Sequence, residues 1–191
     1  MQEIILIENT TINSKDYANA NLQNYSFNSV VFQDSNFAQS NWSGARFNDC
    51  VFINCNVSLI NLKDCCLQNV KFQDCKLIGL NFTHCNKFLL SLSMLNCIIN
   101  TCEFNRLSLK RMAFTGSRFK SVDFLGTDLS EANFSKSDLS GAIFEKCNLS
   151  LADFTNATNY TINPAQNNMK KARFSASDVL NLLTCFDIEI V

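Results

Sequence analysis

Taking one residue in every five from Ile7 gives Ile7, Ile12, Tyr17, Leu22, Phe27, Phe32, Phe37, Trp42, Phe47 and Phe52, all large and apolar. The frame continues through Val57, Leu62, Leu67, Phe72, Leu77 and Phe82, breaks at Lys87, and resumes two residues later at Leu89. From there it runs through Met94, Ile99, Phe104, Leu109, Phe114, Phe119, Phe124, Leu129, Phe134, Leu139, Phe144, Leu149 and Phe154. A helix needs apolar spacings of three and four, and a strand needs two. A period of five fits neither. It suits short extended sides separated by corners and stacked turn on turn.

We call each sampled position a centre. The residue two before it is mostly small, as at Ala20, Ser35, Cys50, Cys75, Ser117 and Ala152, and shares its face, so both point inward. All five glycines (44, 79, 116, 126 and 141) fall two after a centre, where a corner demands an unusual backbone angle. Similarities recur 20 residues apart. Asn21, Asn41, Asn61 and Asn81 form one outward column, while Phe104, Phe124 and Phe144 stack inside. Twenty residues per turn means four sides. The pattern therefore predicts an all-β parallel β-helix of square section and about seven to eight turns. At a strand spacing of about 4.8 Å it is a rod roughly 35 Å long.

Hydrophobic residues make up 47% of the 191, enough for a packed interior, and a net charge of −1 argues against direct nucleic-acid binding. No apolar run is long enough to cross a bilayer. The acidic start carries no signal-peptide pattern, and ten cysteines without one point to a reducing compartment, so the expected location is the cytoplasm. Eight cysteines (50, 55, 65, 75, 85, 97, 102 and 147) occupy the small inward position as inert filling, leaving Cys66 and Cys185 outside the pattern. His84 is the single histidine. No triad, metal cluster or phosphate loop is discernible, so neither an enzyme nor a cofactor is expected.

Units such as Thr127-Asp128-Leu129-Ser130-Glu131, Ser137-Asp138-Leu139-Ser140-Gly141 and Ala152-Asp153-Phe154-Thr155-Asn156 match the A(D/N)LxX signature of pentapeptide-repeat proteins, which this chain resembles from about residue 17 to 175. The resemblance implies a right-handed quadrilateral β-helix. The ending, Ser177-Asp178-Val179-Leu180-Asn181-Leu182-Leu183 followed by Asp187-Ile188-Glu189-Ile190, is similar to that of the Qnr-type quinolone-resistance and the albicidin and microcin immunity proteins. That branch implies a non-enzymatic protein that binds DNA gyrase or topoisomerase IV and shields it from a poison. The other reading, an interaction scaffold for a different partner, stays open, since a fold does not define a function.

Three irregularities are the candidate sites. The frame shift predicts a small loop at 86–91. It is either a tolerated bulge or a partner-binding loop carrying Lys87, Phe88, Leu90 and Ser91. Between residues 123 and 153 lie Asp123, Asp128, Glu131, Asp138, Glu145 and Asp153 against two lysines. This acidic surface is either a solvated wall or a partial mimic of DNA. The units degrade after Phe154 and return once at Ala172-Arg173-Phe174, which ends the solenoid near residue 175. Residues 176–191 are then a separate tail, with a short helix near 176–186 and an extended end. It folds back on the last turn or, through Val179, Leu180, Leu183, Phe186, Ile188 and Ile190, also joins two copies as a homodimer.

Overall fold

A computed structural model describes residues 4–186 and residue 188. It is a parallel β-solenoid of about eight turns. Each turn has four faces. On the first, Ile7 pairs with Phe27, Phe27 with Phe47, and Phe47 with Leu67. The second stacks Ile12, Phe32, Phe52, Phe72 and Met94. The third carries Leu77, Ile99 and Phe119 in register. The fourth holds Trp42, Phe82 and Phe124, flanked by the outward bridges Asn21 to Asn41 to Asn61 and Asn81 to Glu103 to Asp123.

The interior is made of the large and small positions together. Phenylalanines one turn apart lie nearly parallel, with ring centroids 5.1 Å apart for Phe104 and Phe124, 5.2 Å for Phe124 and Phe144, and 4.9 Å for Phe114 and Phe134. Rings on opposite faces meet edge to face across the interior, as Phe124 does with Phe134. Offset stacking and edge contacts are the favourable arrangements for aromatic quadrupoles. The small residues fill the space beside each ring. One inward column runs Ser35, Cys55, Cys75, Cys97, Ser117, Ser137, and it is a polar ladder inside an apolar core. Ser137 Oγ donates to the Phe114 carbonyl at 2.7 Å, and Ser117 N–H donates to Ser137 Oγ at 3.2 Å. Cys75 Sγ donates to the Phe52 carbonyl at 3.3 Å. Every hydroxyl and thiol of this column donates to a backbone carbonyl, as an apolar interior requires.

The corners explain the glycines and more. All five have positive φ, and so do non-glycine residues at the equivalent position of most other units, among them Asn9, Asp34, Asp74, Arg106 and Leu151. A left-handed residue costs an L-amino acid roughly 1–2 kcal/mol, least for Asn and Asp. The corner is held because its N–H is committed to the next turn, as Asp34 N–H is to the Ile53 carbonyl at 3.0 Å. Leu151 is a poorly suited occupant: its φ is 60° and its side chain is exposed. Leu151→Asn should raise the denaturation midpoint, corresponding to about 0.5–1 kcal/mol of relieved strain. A drop in the midpoint would mean that Leu151 packs more than its exposure indicates.

Two details differ from the sequence expectation. Leu89, the centre at which the frame resumes, is exposed with φ 63°, and Leu90 packs against the core in its place. The terminal helix is a 3₁₀ helix over Val179–Phe186, not a helix from 176. A segment that short gains little from α-nucleation, and 3₁₀ turns are usual in such end pieces.

Candidate functional site

At residues 86–91 the wall opens outward. Backbone pairing continues on both sides of it: Asn86 N–H donates to the Cys65 carbonyl at 2.9 Å, and Ser91 N–H donates to the Leu67 carbonyl at 3.0 Å. The two extra residues are accommodated between these anchors. Asn86 Oδ1 accepts the Phe88 N–H at 2.9 Å, which turns the chain out and leaves Phe88 80% exposed. Lys87 and Ser91 are exposed and Leu90 is half-buried. Phe88 and Leu89 overhang a shallow groove of about 220 Å³ on the first face, floored by Arg46, Cys66 and Gln68.

The acidic residues do not make a wall. Asp123 and Glu145 lie on the fourth face, Asp128 on the first, Glu131 at the next corner, Asp153 on the second and Asp138 on the third. Most are engaged locally. Asp123, Asp128, Asp138 and Asp153 each accept the backbone N–H two residues on, at 2.9 to 3.1 Å. That side-chain turn is why Asp and Asn favour this position. Glu131 pairs with Arg111 at 2.8 Å and Lys110 at 3.3 Å, and the Arg111 hydrogen bond leads in holding its carboxyl below the usual range. Arg173 lies 3.5 Å from Asp153. Consecutive acids in a period of five are spread around the rod.

At the far end Tyr160 Oη donates to the Asp178 carbonyl at 2.7 Å, pinning the tail to the last turns. Burial, then the nearby Asp178 charge, pushes the Tyr160 phenol up to about 12. Leu182 packs against the core and Leu183 is half-buried. Val179, Leu180, Phe186 and Ile188 remain exposed. Ile190, with the rest of the extended end except Ile188, lies outside the described residues.

The sequence matches the family "Pentapeptide repeat region" over residues 25–114 and "Pentapeptide repeats (8 copies)" over residues 102–135 and 132–158. The chain belongs to the pentapeptide-repeat proteins. No curated protein sequence matches it. Among solved structures, a trypsin-treated variant of QnrB1, described as a plasmid-mediated fluoroquinolone resistance protein, superimposes with a TM-score of 0.83. It is 15% identical, and the match covers 98% of this chain and 99% of that one. A second trypsin-treated QnrB1 variant gives 0.51 at 16% identity, over 97% and 100% of the two chains. At such identities the likeness establishes the fold alone.

As in the repeat pattern, all eight inward cysteines of this pentapeptide-repeat protein are buried, Cys66 is half-buried and Cys185 exposed. Burial pushes the Cys85 thiol up to about 12 and those of Cys50, Cys102 and Cys147 to about 11. Among the described residues no group of His, Cys, Asp and Glu is arranged to hold a metal, and no helix is long and apolar enough to cross a membrane. The repeat signal could not reveal a strip on the third face, because its residues replace the Asn and Asp that the pattern leads one to expect. There Lys76, Ile98 and Arg118 lie side by side on successive turns.

Proposed function

We propose that this pentapeptide-repeat rod is a non-enzymatic cytoplasmic protein that binds a type II topoisomerase of the gyrase class and shields it from a poison of the fluoroquinolone, albicidin or microcin type. The observation that carries the reading is the near end-to-end superposition on QnrB1, over 98% of this chain and 99% of that one. The Phe88 loop, an apolar knob projecting from a rigid wall, is the contact element. With the acids dispersed over four faces and largely engaged within the rod, the reading rests on this loop and the rod's shape more than on mimicry of DNA charge.

The test is gyrase supercoiling with and without a fluoroquinolone or albicidin, titrated with the purified chain. Protection at micromolar protein is expected. Deleting Lys87 and Phe88 restores an unbroken five-residue frame with Leu89 as a centre, so the melting temperature should hold while protection drops at least tenfold. Absence of both protection and gyrase binding in the intact protein would exclude the reading.

The exposed apolar residues of the tail support a two-fold homodimer, since an isologous contact is the commonest way to bury such a patch. Light scattering should give twice the chain mass for the full protein and the single mass once residues 176–191 are removed. A monomer in both cases would reject the dimer.

A further inference from the structure

The third face carries an outward column in which neighbours are one turn apart: Asn36, Asn56, Lys76, Ile98, Arg118, Asp138. At its lower end the asparagines form a ladder, Asn56 Nδ2 donating to Asn36 Oδ1 at 3.3 Å, and each accepts the backbone N–H two residues on. Asp138 does the same at the upper end. The three residues between give up that bond. An aliphatic side chain that is 40% exposed at Ile98 stands between a lysine and an arginine, with Lys120 beside them. Lys76, Arg118 and Lys120 enter no ion pair or side-chain hydrogen bond among the described residues, unlike Lys110, Arg111 and Arg173. The neighbouring carboxylates are engaged: Asp138 Oδ1 also accepts Asn159 Nδ2 at 2.8 Å, and Asp74 Oδ2 accepts Gln73 Nε2 at 3.1 Å. Two open grooves of about 570 and about 350 Å³ flank the strip and share Ile98 and Arg118.

We infer that this strip docks an amphipathic helix of a partner protein, lying along the rod axis and presenting an acidic residue, an apolar residue and an acidic residue at positions i, i+3 or i+4, and i+7. The spacing is what selects a helix. Turns recur about every 4.8 Å, so Lys76 and Arg118 are about 9.6 Å apart with Ile98 midway. Seven helical residues rise about 10.5 Å, with position i+3 or i+4 midway, so the three rungs and the three helix positions match. The apolar residue covers Ile98 and the two carboxylates meet cations that make no ion pair among the described residues, the usual helix-in-groove mode of recognition. The strip lies on the face opposite the Phe88 loop, so this inference stands without the topoisomerase reading.

The experiment selects phage-displayed, helix-stabilised peptides on the full chain, with counter-selection on the Arg118→Glu variant. The acid, apolar, acid spacing is expected to be enriched. The best synthetic peptide, followed by fluorescence anisotropy, should bind at least tenfold more weakly to Lys76→Glu, Arg118→Glu and Ile98→Ser. Those variants should melt with the wild type, and Lys146→Glu, at the corner between the fourth and first faces, should bind unchanged. Exchanging the peptide's two acids for glutamine should cost a similar factor, and affinity should fall as salt rises. The inference is overturned if no selected peptide is weakened by Arg118→Glu. It is overturned equally if the enriched sequences lack the acidic pair or bind in extended form.

Discussion

Phe124→Asp is expected to abolish the folded state. Phe124 is completely buried, stacked between Phe104 and Phe144 and meeting Phe114 and Phe134 edge-on. Truncating such a ring to alanine costs about 3–5 kcal/mol from lost transfer and the cavity left behind. A carboxylate adds the cost of a buried group with no partner. Whole domains are stable by only about 5–15 kcal/mol. In a solenoid each turn rests on its neighbours, so the damage is not confined to one rung. Far-ultraviolet circular dichroism should lose the β signal. Phe124→Leu, which keeps the site apolar, should still fold at a cost of about 1–2 kcal/mol. If Phe124→Asp melts like the wild type, the inward register described above is wrong.

The thiols should divide sharply into two classes. A disulfide reagent such as DTNB is expected to titrate two cysteines in the native protein, Cys66 and Cys185, and all ten once denaturant is added. The thiolate is the nucleophile, and the eight inward sulfurs are both inaccessible and, where burial raises them to about 11 or 12, almost wholly protonated at neutral pH. The same groups make stability depend on pH. They ionise higher in the folded chain than in the unfolded one, so above the ordinary thiol range the unfolded chain has fewer protons bound and is favoured. Their contribution is complete below about pH 8.5 and is lost as pH climbs towards 11 and 12, by up to about 1.4 kcal/mol per pH unit for each thiol. Melting temperature should therefore be flat from pH 6 to 8 and fall steeply from 9 to 11. Rapid native labelling of more than two thiols would show that the walls breathe open. A flat profile to pH 11 would contradict the raised thiols.

Much of the architecture was legible in one dimension, because in a solenoid neighbours in space are neighbours at a fixed distance in sequence. The large residue every five, the small one two before it and the glycines two after it are each read from a single unit. Burial of Cys50, Cys75 and Phe124 followed without any knowledge of long-range pairing. The loop was equally visible, since a two-residue slip in an otherwise strict frame has nowhere to go but outward. Its details were not. Leu90 fills the interior in place of Leu89 because the Ser91 N–H must reach the Leu67 carbonyl, and only the paired backbone shows that constraint.

The linear sequence therefore determined the period, the interior and the position of each interruption, since these are properties of one unit repeated. Tertiary structure alone decided what the surface presents, because surface neighbours are residues 20 or 22 apart, on the same face of adjacent turns. Acids close together in the sequence, from Asp123 to Asp153, are carried by the corners onto four different faces and lose the appearance of a patch. Lys76, Ile98 and Arg118, too far apart in the chain to suggest one another, are placed side by side by the 22-residue and 20-residue turns on either side of Ile98.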